Sequence, residues 1–125
     1  KVVTQDDILQ RDLKFLYRQQ VISASEHITY LYSDAIISVR DDGNGFTDQR
    51  IFSYWLDDDD TFHKESATFE EVDNIEVKFA ESDTENTVIT VTRKDQSNFV
   101  LFVSNVDEGD HKFVDELRAR WKRDS

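Results

Sequence analysis

Apolar positions along this chain follow a helical repeat at the start, a series of short alternating runs in the middle, and a helical repeat again at the end. After Thr4, whose T-x-x-D pattern offers a capping side chain and an acidic partner at Asp7, residues Leu9, Leu13, Leu16 and Tyr17 recur at i, i+4, i+7 and i+8. This spacing predicts an amphipathic helix over residues 5–19, and Ile8 and Phe15 widen its apolar stripe so that it should lie on the body of the domain. Next, Ile28, Tyr30 and Tyr32 alternate with Thr29 and Leu31, and Ala35-Ile36-Ile37-Ser38-Val39 is dense in β-formers, so two strands with a short connection are expected. Residues 41–45 hold two of the three glycines, and Asn44-Gly45 is a pair that supplies the positive-φ positions of tight hairpin turns. A turn is expected there, feeding a strand over residues 46–56.

Asp57-Asp58-Asp59-Asp60 ends that strand by charge repulsion, residues 61–69 form another, and a turn is expected near Asp73-Asn74. Ile75, Val77 and Phe79 alternate strictly with Glu76 and Lys78, which predicts a strand with one wet face. Residues 82–86 read as a polar loop, 87–93 as a strand, 94–97 as a turn and 98–104 as a strand centred on Phe99-Val100-Leu101-Phe102-Val103, placed in the middle of the core. Asp107 and Asp110 then offer capping and negative charge, and Phe113, Val114, Leu117 and Trp121 follow at helical spacing. Arg118, Arg120, Lys122 and Arg123 complement the dipole in its last turns. The order is helix, about seven strands, helix, without a repeat or linker. We read residues 1–125 as a single α+β, mainly β, domain: N-terminal helix 4–19, β body 23–104 and C-terminal helix 107–123.

An antiparallel sheet of short strands buries its interior but leaves an open end, which a terminal helix presenting Phe113, Leu117 and Trp121 would plug. Within such a layout, Phe46-Thr47-Asp48-Gln49-Arg50-Ile51 resembles the aromatic-or-Leu, Thr, Asp-or-Asn, any, Arg, aliphatic signature of bacterial pleckstrin-homology-like (PH-like) domains. The resemblance covers residues 23–123. It implies a PH-like half-barrel of antiparallel strands capped by the C-terminal helix, and a non-enzymatic adaptor or assembly module that forms rings in some members. The N-terminal helix is an addition to that layout. The signature is structural, so the resemblance assigns no binding residue.

Charge narrows the partners. With 27 acidic and 15 basic residues the chain carries a formal charge of −12, a field that repels nucleic-acid phosphates and anionic lipid headgroups. Nucleic acid is therefore not expected as a partner, and a membrane is disfavoured. The absence of Cys removes disulfides, thiol nucleophiles and thiolate metal sites, and it suits a cytoplasmic protein among others. No run approaches the roughly 18 apolar residues of a membrane span. With no Met in the chain, the native start is expected to have been removed or to lie upstream.

Candidate chemistry is sparse. Asp41, Asp42, Asn44 and Asp48 superficially match a calcium loop, but Phe46 stands where Gly is required and Phe52 where the bidentate Glu belongs. The tetrad Asp57 to Asp60 lacks a Gly for the bend and reads as a solvated loop. His27, His63 and His111 lie in different elements without metal-ligand spacing, and the serines show no nucleophile elbow. No catalytic residue, metal site or cofactor is assigned, and the chain is not read as an enzyme.

The stretch Ile51-Phe52-Ser53-Tyr54-Trp55-Leu56 is apolar on both strand faces, with Phe52, Tyr54 and Leu56 on one and Ile51 and Trp55 on the other. One face belongs to the interior, and the N-terminal helix with Leu9, Leu13 and Leu16 is the nearest cover for the second. Otherwise Ile51, Phe52, Tyr54 and Trp55 form a candidate interface. Arg50 is expected to pair with Asp48 or Asp34 in a structural role. The favoured function is a non-catalytic PH-like module that binds a protein or peptide partner at a sheet edge or beside the C-terminal helix, a homo-oligomer being one form of this. The alternative is a carrier enclosing a small apolar ligand in an aromatic-lined cup. Membrane recruitment through the basic end of the last helix ranks third.

Overall fold

A computed structural model describes residues 1–33 and 40–124 of the chain. A 3₁₀ turn (Gln5–Asp7) and helix α1 (Gln10–Arg18) precede β1 (Ile28–Tyr32), β2 (Asp42–Thr47), β3 (Arg50–Leu56) and β4 (Phe62–Thr68), which pair antiparallel in that order as one sheet. After a 3₁₀ turn (Phe69–Glu71), β5 (Val72–Lys78), β6 (Thr87–Arg93) and β7 (Asn98–Val103) form a second antiparallel sheet, and α2 (Gly109–Asp124) ends the chain. Among the described residues neither sheet closes on itself. The expected half-barrel is realised as two separate sheets with open corners, not as a barrel.

Two cores hold this arrangement. Between the sheets, Phe46, Ile51 and Ala67 of the first meet Ile89, Val91, Leu101 and Val103 of the second, and Phe113, Val114 and Leu117 of α2 close the end. Phe46 and Phe113 pack edge to face, ring centroids 4.9 Å apart, and the Trp121 indole N–H donates to the Val72 carbonyl at 3.3 Å. On the opposite face of the first sheet, Phe52, Tyr54, Ile28 and Leu31 lie beneath Ile8, Leu13, Leu16, Val21 and Ile22. The N-terminal segment thus covers the second face of β3, as its non-alternating apolar sequence required.

That segment is not one helix. Val3 and Leu31 exchange two 2.9 Å backbone hydrogen bonds, which pin the chain to the edge of β1. Ile8 and Leu9 are extended, so the chain leaves the sheet edge before α1 crosses its face. Ile8 is buried while Leu9, expected on the buried stripe, is 56% exposed.

Two further expectations change. Residues 41–45 do not form the turn: Gly43, Asn44 and Gly45 lie inside β2, no glycine has positive φ, and the hairpin bends at Asp48-Gln49 instead. The glycines answer to the aromatic residues across the strand pair, Gly43 opposite Tyr54 and Gly45 opposite Phe52. A Cβ at Gly43 would overlap the Tyr54 ring, and one at Gly45 would lie 2.8 Å from Phe52 Cζ and 2.5 Å from the Tyr30 carbonyl oxygen. Asp73 and Asn74 belong to β5, the turn having come earlier at Phe69–Glu71, where Glu71 accepts from the Thr68 amide and hydroxyl at 2.9 Å each. The expected strand over residues 35–39 lies outside the described residues.

The hexapeptide spans the β2–β3 hairpin, and its threonine organises the bend. Thr47 Oγ1 accepts from the Gln49 and Arg50 amides at 3.0 and 3.1 Å and donates to Glu26 Oε1 at 2.8 Å. Arg50 Nε donates to the same oxygen at 2.8 Å, and Glu26 Oε2 accepts from the Ser23 amide at 2.8 Å. The partner of Arg50 is therefore Glu26 and not Asp48, whose carboxylate accepts from the His27 amide at 3.1 Å; Asp34 is outside the described residues. Burial pushes the Glu26 carboxyl up, but the hydrogen bonds from Ser23, Thr47 and Arg50 and the guanidinium charge outweigh it, leaving the group below the ordinary 4.5.

Gly43→Ala should destabilise the fold by about 1–3 kcal/mol in urea unfolding, because the buried Tyr54 ring has to move. Unchanged stability would mean that the ring does not need the glycine. Arg50→Ala should cost about 1–3 kcal/mol by leaving a buried carboxylate one charged donor short. Since the folded Glu26 group titrates below its unfolded value, its contribution is complete above pH 4.5 and disappears as pH falls through the lower folded pKa. Glu26→Gln should flatten that acid limb in a stability-versus-pH series, and an unaltered limb would assign the acid sensitivity elsewhere.

A candidate interaction cleft at the corner between the sheets

The registers of β2, β3 and β4 place side chains in rows across the inner face of the first sheet. Phe46, Ile51 and Ala67 make an apolar row, Asn44, Ser53 and Glu65 a polar one, and Asp42, Trp55 and His63 the outermost. The apolar row lies in the core. Strand β7 meets the sheet at the polar row, where Asn44 Oδ1 accepts from Ser53 Oγ at 3.1 Å and from the Phe102 amide at 3.3 Å. The Phe102 N–H therefore points away from β6 and is satisfied by a side chain of the other sheet. The outermost row projects beyond this line of contact.

Between the projecting end of the first sheet and β7 lies an open cleft of about 610 Å³, with Asp42, Trp55 and Glu65 on one side and Asn98, Val100 and Phe102 on the other. Trp55 is 40% and Phe102 46% exposed, and Leu56 beside Trp55 is also exposed. His63 stacks on the Trp55 ring at 5.4 Å, and its Nε2 pairs with Asp57 Oδ2 at 2.7 Å. Asp57 Oδ1 in turn accepts from the Asp59 and Thr61 amides at 2.9 and 3.0 Å. The hydrogen bond from His63, with those from the loop amides, holds the Asp57 carboxyl below its ordinary range. Residues 57–60 thus form a side-chain-capped turn that braces His63 against Trp55.

Arg93 fixes the other wall. Its Nη2 donates to Glu65 Oε2 at 2.7 Å and to the Ser66 carbonyl at 3.0 Å, with its guanidinium carbon 4.8 Å from the centre of the Phe99 ring. The Tyr54 hydroxyl contributes no proton chemistry at neutral pH: burial, with Asp42 and Asp12 nearby, pushes its phenol far up.

Of the four residues named as a candidate interface, Ile51 lies in the core between the sheets and Phe52 and Tyr54 in the core under the N-terminal segment, all essentially inaccessible. Trp55 alone reaches the surface. Phe102 was missed because residues 99–103 read as one continuous core run. Phe99, Leu101 and Val103 point inward, whereas Val100 and Phe102 face the cleft side, and period-two alternation would have separated them. The histidines stay apart: the His27 amide binds Asp48, His63 stacks on Trp55, and His111 stacks on Phe79 at 4.4 Å. Among the described residues, no group of three or more His, Asp or Glu side chains converges as metal ligands would, and no helix is long and apolar enough to cross a membrane.

No protein-family model matches the sequence, and no curated protein does. The chain is similar in structure to a DUF1696 family protein with a pleckstrin-homology domain from Shewanella loihica, with a TM-score of 0.61 over 98% of this chain and 96% of that one. Identity is 12%, so the likeness is one of fold: the chain has a PH-like fold, mainly β, with helices at both ends.

Asn44→Ala should cost about 1–3 kcal/mol by removing the acceptor of a part-buried amide. The Phe102 amide should then lose protection in hydrogen exchange, and unchanged protection would show that the side chain does not tie the sheets together.

Proposed function

We propose that this chain is a non-catalytic interaction module that binds a segment of a protein partner in the corner cleft. The observation that carries this reading is the exposure of Trp55 and Phe102 on opposite sides of one cleft, on walls held by Asn44, Arg93 and His63. Aromatic groups left accessible on a rigid concave surface are typical anchors for a protein partner. A PH-like fold supplies the scaffold and does not by itself assign a partner.

The two other readings have less support. A carrier enclosing an apolar ligand needs room between the sheets, and that space is filled by Phe46, Phe69, Leu101 and Phe113, each at most 1% exposed. Membrane recruitment would use the basic end of α2, where Arg123 is already engaged with Glu116 and the Ala119 carbonyl at 3.4 Å each.

Quantitative affinity capture from the source organism, with wild type beside a Trp55→Ala/Phe102→Ala variant, tests the reading. The expected result is a partner retained by wild type and lost by the variant, whose unfolding free energy stays within about 1 kcal/mol. A partner held equally by both proteins would place binding elsewhere. A native mass of freshly purified protein above that of the chain alone would favour the carrier.

A further inference from the structure

Resting on that docking reading, we infer that the partner segment enters the cleft as an extended strand and adds to the open edge of β7, lengthening the second sheet. The register decides which way the β7 backbone faces. At the β6–β7 hairpin the Arg93 amide donates to the Ser97 carbonyl at 2.8 Å, and bonded pairs recur at every second residue of an antiparallel ladder, so Phe99 and Leu101 bond across to Val91 and Ile89. Asn98, Val100 and Phe102 therefore turn their amides and carbonyls away from β6. The bond from the Phe102 amide to Asn44 Oδ1 runs in that direction. Among the described residues no backbone group meets the outward amides and carbonyls of Asn98 and Val100, and both residues line the cleft.

The four sheet edges differ in how they are guarded. β4 carries Lys64 and Glu65, β5 carries Asp73, Glu76 and Lys78, and β1 is bridged by Val3. β7 is Asn98-Phe99-Val100-Leu101-Phe102-Val103, with neither a charge nor a proline to discourage pairing. Its outward donors and acceptors fit another extended backbone. A helix, whose amides and carbonyls are bonded internally, would offer them nothing. Side chains of an added strand would alternate between the Trp55 side and the Phe102 side of the cleft, so one segment covers both exposed rings. The occupant that fits is an apolar, β-branched stretch of another protein.

The test uses a fluorescein-labelled, end-blocked peptide with a central run of valines and lysine at both ends for solubility, beside the same peptide N-methylated at every valine, both read by fluorescence anisotropy. Wild type should bind the valine peptide about tenfold or more tightly than the N-methylated one. Val100→Pro removes an outward amide without breaking a bond to β6, so it should weaken the valine peptide by a similar factor while urea unfolding stays cooperative. In wild type, hydrogen exchange at the Val100 amide should slow about tenfold or more when the valine peptide is bound. If both peptides bind wild type equally, if the Val100 amide exchanges as fast with peptide as without, or if a folded Val100→Pro binds as wild type does, strand addition is wrong. Docking then stands provided that Trp55→Ala/Phe102→Ala weakens the valine peptide. If that double variant binds as wild type does while Val100→Pro does not, the edge takes the strand and the aromatic docking reading fails. If neither peptide binds, strand addition fails, and the affinity capture alone decides docking. A wild-type oligomer that Val100→Pro disperses to monomers in light scattering would put a second copy on the edge and overturn the assignment to another protein.

Discussion

The double burial of β3 is the constraint on which the rest of the molecule depends. Its inward residue Ile51 requires a second layer, which β5 to β7 and α2 provide, and its outward residues Phe52 and Tyr54 require a third, which the N-terminal segment provides. A sheet buried on one face would have left the first 22 residues without a surface to fold on. The aromatic size of Phe52 and Tyr54 then dictates glycine at their partners Gly45 and Gly43, since the outer layer approaches closely only if the rings lie flat over bare backbone. One strand therefore accounts for three layers and for two of the chain's three glycines.

Placing β3 correctly demands a register with no slip, because a one-residue shift would exchange its two faces. The hairpin bend fixes that register through Thr47, whose hydroxyl holds the Gln49 and Arg50 amides while bonding Glu26. A fully buried glutamate side chain is costly in isolation. Here one carboxylate receives three hydrogen bonds, one from a guanidinium, so that it remains ionised and ties the residues before β1 to the bend. The same register sets the rows of the inner face, and so decides that Asp42, Trp55 and His63 stand together at its end.

The strands whose periodicity is local were legible, and the contacts that depend on distant residues were not. Thr87 to Arg93 alternates cleanly because one face of β6 packs inward, and its limits could be read directly. The partner of Arg50 lies 24 residues earlier in the chain, at a distance that charge spacing along one strand cannot reveal. Asn44-Gly45 carried a hairpin signal that tertiary packing overrode, because a ring lying over backbone leaves no trace in local propensity. Capping residues at Thr4 and Asp7 were real but served only one turn, since the bridge between Val3 and Leu31 redirects the chain. Trp55 was named only together with Ile51, Phe52 and Tyr54, which are buried, because a doubly apolar strand does not show where its cover ends, whereas Phe102 was hidden in an apolar run that the structure divides between core and cleft.

Why the core stops where it does is also a hydrogen-bonding question. An edge strand lying against a sheet face presents amides that need acceptors, and apolar rows supply none. β7 comes to rest on the row where Asn44 offers an oxygen to the Phe102 amide, with Ser53 donating to that same oxygen from the other side. Had the second sheet extended one row further, the apolar body of Trp55 and the Asp42 carboxylate would have been buried together, and the carboxylate would have lost its contact with water. Stopping at Asn44 leaves an aromatic ring and a carboxylate side by side in an open corner.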